Sequence, residues 1–336
     1  GLLYMAEAVY NASGLGLPIV MTVGNRAIGS PINIWNDQSD SMSMRDAGWI
    51  QLFAETNQQA IDVHIQAFKI AEALSMPVMV CVDGFILTHA YERMDVPDQE
   101  QVDRFLPPFE PRQVLDPSDP ISIGAMVGPE AFTEVRYMEH HKQLKALEII
   151  PEINNEFKEI FGRDSGGLIS TYRADDADTL IVTLGSVIGT ISEVIDEMRD
   201  KGQKIGAMTI RSFRPFPLDE IHEVLKKTQR VVVFEKCLAV GLGGIVANNV
   251  RMAHRGLTTP VYTVIGGLGG RPITRKSLNE LFEKAMNDDL EETTFLDLKQ
   301  DVVDHEIDRA EKFNRSGAIA ENVLRQIGVV DVAKTS

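Results

Sequence analysis

The sequence predicts an α/β protein of two units, each built on a parallel sheet covered by helices. Three observations predict it. First, short apolar runs alternate with longer segments of helical periodicity, which is the order of strand–helix–strand units. Second, the runs are continuously apolar, as in Pro77-Val78-Met79-Val80-Cys81-Val82, so both faces of each strand are expected to be buried. Third, 336 residues suggest about two domains. Gly166, Gly167 and several Asp residues cluster over Asp164 to Asp178, between two such series. The expected division is a first unit over 1–165, a second over 166–290 and acidic helices over 291–336.

The elements follow in order. The chain opens at Gly1-Leu2-Leu3-Tyr4, with no initiator Met and no signal-peptide pattern, so residues are expected to precede it in the intact protein. Its start reads as helical up to Gly14. Leu17 to Val23 reads as a strand. A loop with Gly29, Pro31, Asn33 and Asn36 follows. From Asn57 to Ser75, positions Ala60, Ile61, Val63, Ile65, Phe68, Ile70, Ala71 and Leu74 form the broad stripe of a helix. Pro77 to Val82 is the next strand. Six prolines between Pro97 and Pro120 mark an ordered crossing segment, and a long helix runs from Gly128-Pro129-Glu130 to Phe161-Gly162.

The second half is a cleaner series. Strands are expected over Thr179–Leu184, Lys204–Arg211, Arg230–Phe234 and Val261–Ile265. Helices are expected over Val187–Lys201, Leu218–Lys227, Gly243–His254 and Thr274–Met286. Gly202 is a natural C-terminal stop, and Pro217 sits where a missing N–H does no harm.

Composition excludes several classes. Apolar residues make up 44% and charged residues 24%, as in ordinary globular proteins. No run approaches the roughly 20 apolar residues of a membrane span. Lys plus Arg is 33 against 49 for Asp plus Glu, and the net charge of −16 opposes nucleic acid and anionic membrane. Cys81 and Cys237 both read as core thiols. An iron–sulfur cluster usually takes four Cys ligands, which two cysteines do not supply.

Most motifs point to structure. Gly241-Leu242-Gly243-Gly244 and Gly266-Gly267-Leu268-Gly269-Gly270 lack the spacing of a phosphate loop or a dinucleotide turn. They are read as tight turns and close packing, with the second also able to approach a partner's backbone or an anion. No hydrolase, zinc-protease or thiol-redox motif occurs. Seven histidines are scattered. His140 and His141 read as a helix surface. His89 follows a buried strand at the edge where α/β sheets bind ligands, and a plain loop histidine is the equal alternative.

The sharpest feature is Val23-Gly24-Asn25-Arg26-Ala27-Ile28-Gly29-Ser30-Pro31. A strand delivers one Arg into a Gly/Pro loop. Arg26 there is a ready bidentate receptor for a carboxylate or phosphate, or equally an ion-pair partner of Asp37 or Asp40. Asp40 and Arg45 are read as bracing the loop.

Asn25-Arg26-Ala27-Ile28-Gly29-Ser30-Pro31, Trp35-Asn36-Asp37-Gln38-Ser39-Asp40, Arg45-Asp46-x-Gly48-Trp49 and Asp83-Gly84-Phe85-x-x-Thr88-His89 together resemble the alpha subunit of 2-oxoacid:ferredoxin oxidoreductases, the pyruvate:ferredoxin oxidoreductase family. Thr183-Leu184-Gly185-Ser186, Arg211-Ser212-Phe213-Arg214-Pro215-Phe216-Pro217 and Gly241-Leu242-Gly243-Gly244 resemble its second domain. The resemblance covers nearly the whole chain in order. It implies an α/β fold: a thiamine-enzyme pyrimidine-type parallel-sheet domain plus a transketolase-C-terminal-like domain.

The resemblance also implies a function. Such enzymes use thiamine diphosphate to decarboxylate a 2-oxoacid oxidatively. Electrons pass through [4Fe–4S] clusters to ferredoxin and the acyl group goes to coenzyme A. The beta subunit would hold the diphosphate, its Mg2+ and a cluster, and gamma and ferredoxin-like delta subunits complete the assembly. Arg26 takes the position of the arginine that contacts the 2-oxoacid carboxylate, and Ile32 and Ile34 are implied wall residues of the pocket. The family's activating glutamate and a substrate-facing threonine are expected upstream of Gly1, so the chain alone is expected to be inactive. Pyruvate is the expected substrate. Aryl glyoxylates, branched-chain 2-oxoacids, 2-oxoglutarate and oxalate are alternatives, and NAD is an alternative acceptor. A non-catalytic assembly subunit and a self-sufficient transketolase-type enzyme are the competing readings. An anaerobic cytoplasm is the expected setting.

Overall fold

A computed structural model describes residues 1–29, 31–312 and 319–329, and among them two sheets form. A 3-10 turn at Leu2–Met5 leads into α1 (Ala6–Gly14) and β1 (Val20–Asn25). Then come α2 (Ser39–Ser43), β2 (Ile50–Phe53), α3 (Asn57–Leu74), β3 (Val78–Asp83), α4 (Gln99–Phe105) and α5 (Phe132–Phe161). β3 lies between β1 and β2, parallel to both, with Asn25 opposite Asp83 and Ile50 opposite Val78. β3 is buried at every position, which explains its unbroken apolar run.

β1 begins at Val20, three residues later than expected, and Gly24 and Asn25 belong to it. α3 starts where the Thr56 hydroxyl accepts from Gln59 N–H at 3.1 Å, and ends at Ser75 in the left-handed region. Its Val63, Ala67, Ile70 and Leu74 share a core with Ile150, Ile153 and Phe157 of α5. Phe68, expected in the buried stripe, is 47% exposed. Asp62 is buried instead, because Arg163 and Ser165 saturate its carboxylate at 2.6–2.8 Å. The Pro-rich segment contains α4, whose Phe105 packs edge-on against Phe157 and Phe161. Beyond it the chain is exposed and irregular, tied down by Arg112 to the Ala73 carbonyl and Gln113 to the Leu15 carbonyl.

The second unit contains β4 (Ile169–Tyr172), β5 (Thr179–Thr183), α6 (Ile188–Asp200), β6 (Ile205–Ile210), β7 (Ser212–Arg214), α7 (Leu218–Leu225), β8 (Arg230–Glu235), α8 (Val246–Ala253), β9 (Val261–Ile265), α9 (Arg275–Met286) and β10 (Thr293–Phe295). Its sheet order is β10-β9-β8-β5-β6-β4, parallel except for the edge strand β4. α6 and α9 cover one face through Ile191, Val194, Leu278 and Phe282. α10 (Gln300–Lys312) and α11 (Ile319–Gln326) follow; the rest of the expected acidic helices, 313–318 and 330–336, lies outside the described residues.

β2, β4, β7 and β10 are not anticipated by periodicity. Each has only three or four residues, too few to display a period. β7 has the largest consequence. The strand expected to reach Arg211 stops at Ile210, and the next residues pair antiparallel with β2 of the first sheet. Phe213 meets Phe53 edge-on at 6.2 Å. One apolar core therefore runs through both units, joining Val23, Trp49 and Met79 to Val182, Val231 and Val246.

Candidate functional site

The site forms at the C-terminal edge of the first sheet, where α/β folds present ligands. Asn25, the last residue of β1, is fully buried, and its Nδ2 donates to Asp40 Oδ1 and Ser41 Oγ, both at 2.8 Å. Asp40 also accepts from the backbone N–H groups of Arg26 (3.1 Å) and Ser41 (2.8 Å). Burial pushes the Asp40 carboxyl up, and these donors offset part of the rise. Asp40 thus braces the turn, as its place in the sequence suggests.

Arg26 is the next residue. Its Nη1 donates to the Asn33 carbonyl at 2.8 Å. It lines an open cleft of about 650 Å³ with Leu2, Leu3, Tyr4, Ala27, Ile28 and Ile32. The alternative ion pair does not form: Asp40 binds the Arg26 backbone, and Asp37 accepts from the Ser39 and Gly269 N–H groups at 3.0 and 3.2 Å. Among the described residues, the Arg26 guanidinium pairs with no carboxylate. The guanidinium retains N–H donors for an incoming anion. Ile32 is 91% exposed on the cleft. Ile34 is also exposed but does not line that cleft.

The loop after Arg26 is tied to itself and to the second unit. Asn33 Oδ1 accepts from Trp35 N–H at 2.8 Å, and Trp35 returns its carbonyl to Ala27 N–H at 3.1 Å. Asn33 Nδ2 donates to the Gly269 carbonyl at 3.1 Å, and Gln38 N–H donates to the Lys236 carbonyl at 2.9 Å. The second glycine run therefore meets side chains of its own chain, Asn33, Trp35 and Asp37. A Cβ at Gly269 would lie 2.6 Å from Asn33 Nδ2, and one at Gly270 would overlap the Trp35 side chain.

At the end of β3, Asp83 is buried in the seam between the units. It accepts from Lys236 Nζ (3.3 Å), Ser186 N–H (2.8 Å), Ser186 Oγ and Gln38 Nε2 (3.2 Å). Burial opposes its charge, but Lys236 and Ser186 outweigh burial and hold its pKa below the usual value. Sequence reasoning passed over Asp83 in favour of His89. His89 is exposed, 2.9 Å from Thr88 Oγ1 and 5.1 Å from the Phe85 ring. The available signal was an acid at the C-terminal end of an otherwise apolar strand.

The first glycine run carries no ligand turn. The N–H groups of Ile245, Val246 and Ala247 all donate to the Glu235 carboxylate, at 2.7–3.1 Å. A carboxylate of the chain itself thus occupies the helix start that an anion would need. Burial pushes Glu235 up. Cys81 and Cys237 are buried core thiols, raised further by burial. Among the described residues no three His, Cys, Asp or Glu gather to hold a metal ion, and no helix is long and apolar enough to cross a membrane.

The chain is similar to known proteins over most of its length. Residues 1–155 match the family described as pyruvate flavodoxin/ferredoxin oxidoreductase, thiamine diphosphate-binding. Residues 177–278 match pyruvate:ferredoxin oxidoreductase core domain II. The chain is 42% identical over 312 residues to the pyruvate synthase subunit PorA of Methanosarcina barkeri, covering 90% of this chain and 78% of that subunit. It is 38% identical over 286 residues to the ketoisovalerate oxidoreductase subunit VorA of Pyrococcus horikoshii, covering 84% and 73%. A solved 2-oxoglutarate:ferredoxin oxidoreductase from Magnetococcus marinus shares the fold, with a TM-score of 0.62 and 18% identity over 85% of this chain and 51% of that one. With a cleft arginine at the edge of a parallel sheet and this likeness over most of its length, the chain belongs to the pyruvate:ferredoxin oxidoreductase family.

Proposed function

We propose that this chain is the alpha-type subunit of a thiamine diphosphate-dependent 2-oxoacid:ferredoxin oxidoreductase, and that Arg26 receives the substrate carboxylate. One observation carries the reading. Arg26 is presented at the sheet edge in an open, largely apolar cleft, with its guanidinium held, among the described residues, through the Asn33 carbonyl. A planar, permanently charged fork suits a carboxylate bidentately and fixes the direction of the adjacent carbonyl. Ile32, on the same cleft, suits an uncharged substrate side chain. Ile34 belongs to the pocket wall only if a partner surface extends the cleft. Pyruvate is the first candidate, with a branched-chain 2-oxoacid the next.

The chemistry of the donors fits part of the cofactor. Leu2, Leu3, Tyr4 and Ile28 offer an apolar wall suited to an aromatic ring, while Asp40, the one carboxylate lining the cleft among the described residues, is taken by N–H donors and leaves too few oxygen ligands for a diphosphate-bound Mg2+. A beta subunit would supply that end, together with [4Fe–4S] clusters. When bound, thiamine diphosphate supplies the electron sink for decarboxylation. Arg26 binds and orients the acid, Asp40 holds the Arg26 backbone, and the apolar residues exclude water. Gamma and delta subunits, ferredoxin as acceptor, coenzyme A as acyl acceptor and a cytoplasmic setting complete the proposal. The proposed units are 1–165, 166–290 and 291–336.

The test is viologen reduction by the native complex over a panel of 2-oxoacids, with and without coenzyme A. Arg26→Ala should lose at least about 100-fold in kcat/KM, since a charged bidentate contact is lost and the substrate is misplaced. Wild-type activity in Arg26→Ala, with subunits and clusters intact, would sink the assignment. No reduction with any 2-oxoacid in a cluster-replete complex would move the assembly-subunit reading forward.

A further inference from the structure

We infer that Asn33 is a positioning residue for Arg26, and that the Gly267–Gly270 turn of the second unit sets its aim. This rests on the reading of Arg26 as the carboxylate receptor. A long arginine side chain in an open cleft has many rotamers, and a bidentate contact needs one of them. The protein contact that selects it is the Asn33 carbonyl at 2.8 Å. The position of that carbonyl is fixed in turn by both polar atoms of the Asn33 side chain. Oδ1 accepts from Trp35 N–H inside the loop, and Nδ2 donates to the Gly269 carbonyl outside it.

The turn returns a second bond. Gly269 N–H donates to Asp37 Oδ2 at 3.2 Å. Gly267, Gly269 and Gly270 all have φ between +59° and +82°, a region that side chains disfavour. Gly270 packs where any Cβ would strike Trp35. Trp35 also holds Ala27, the residue after Arg26, through its carbonyl. A displacement of the turn therefore reaches Arg26 from two sides, through the Asn33 carbonyl and through the Ala27 N–H. Yet every residue lining the cleft comes from the first 40. Among the described residues the second unit contributes no side chain there, so its influence is one of placement.

The test uses the native complex with four variants: Asn33→Ala, Gly270→Ala, Arg26→Ala and the double variant Asn33→Ala/Arg26→Ala. The expected result is a KM for the 2-oxoacid raised about tenfold in Asn33→Ala and Gly270→Ala, the size of one net hydrogen bond. The KM for coenzyme A should not move. A merely structural role would lower kcat through loss of active complex and leave both KM values alone. In the double variant, Asn33→Ala should add nothing to Arg26→Ala, because it acts through that side chain. If Arg26→Ala is impaired while Asn33→Ala keeps the wild-type KM, or if the effects of the two add in full, the positioning role is overturned and the carboxylate reading stands. If Arg26→Ala is itself unimpaired, the carboxylate reading fails and the inference falls with it. Should Gly270→Ala fail to assemble, Asn33→Ala decides.

Discussion

Lys236 and Asp83 form an ion pair of 3.3 Å across the seam between the two sheets, with side chains 3% and 1% exposed. The pair joins the end of β3 to the residue after β8, and the same carboxylate takes Ser186 and Gln38. Removing one partner of such a pair leaves an uncompensated buried charge. Lys236→Met should therefore cost about 3–5 kcal/mol at pH 7 in chemical denaturation. The lowered Asp83 pKa means that the wild type holds this stabilisation above the ordinary carboxylate range, near 3.9, and loses it as pH falls through the lowered value. The deficit of Lys236→Met should accordingly shrink on acidification below about pH 4. A deficit independent of pH would show that Lys236 acts by packing alone.

Asp40 offers two oxygens to three N–H donors, one of them the Arg26 backbone. Asp40→Asn turns one acceptor into a donor and sets it against an N–H group. Stability should fall by about 1–3 kcal/mol. Activity should fall further than stability explains, because the turn that carries Arg26 moves. Calorimetry beside steady-state kinetics checks this, and unchanged kinetics in a destabilised protein would confine Asp40 to folding.

Glu235 behaves oppositely to Asp83. Burial raises its pKa despite three N–H donors. Its contribution is full below about pH 4.5 and declines as pH rises through the raised value. Glu235→Gln lacks this titration, so its stability deficit against wild type should narrow as pH rises from about 4.5. Denaturation midpoints at several pH values measure it, and a deficit that widens with pH would reverse the sign argued here.

Both thiols should be inert in the folded protein. Cys81 and Cys237 are 1% and 0% exposed, and burial raises both pKa values. A thiol reagent should label neither residue natively and both after denaturation. Rapid native labelling of Cys237 would mean that the seam opens.

Much of this protein is legible in one dimension. β3, β5, β6, β8 and β9 declare themselves because strands buried largely on both faces are mostly apolar along their length. Thr56 and Thr274 mark helix starts because a hydroxyl caps an orphan N–H group. Arg26 stands out because a charged fork after an apolar strand has little local reason to be there. The family resemblance is written in the same loop residues, which folding leaves at the sheet edge. Three-dimensional packing decided the rest. β7 is a strand because it meets β2 across 160 residues of chain, and β2, held on its other side by β3, is too short to show a period of its own. Arg26 was equally a partner for Asp37 or Asp40 until the fold spent those carboxylates on backbone N–H groups. Asn33, Asp83 and Gly270 fall in stretches that the sequence singles out, but their contacts, and the role of Lys236, are invisible there because the partners lie in the other unit. Periodicity reports which face of an element is buried; only the packed chain reports what that face meets.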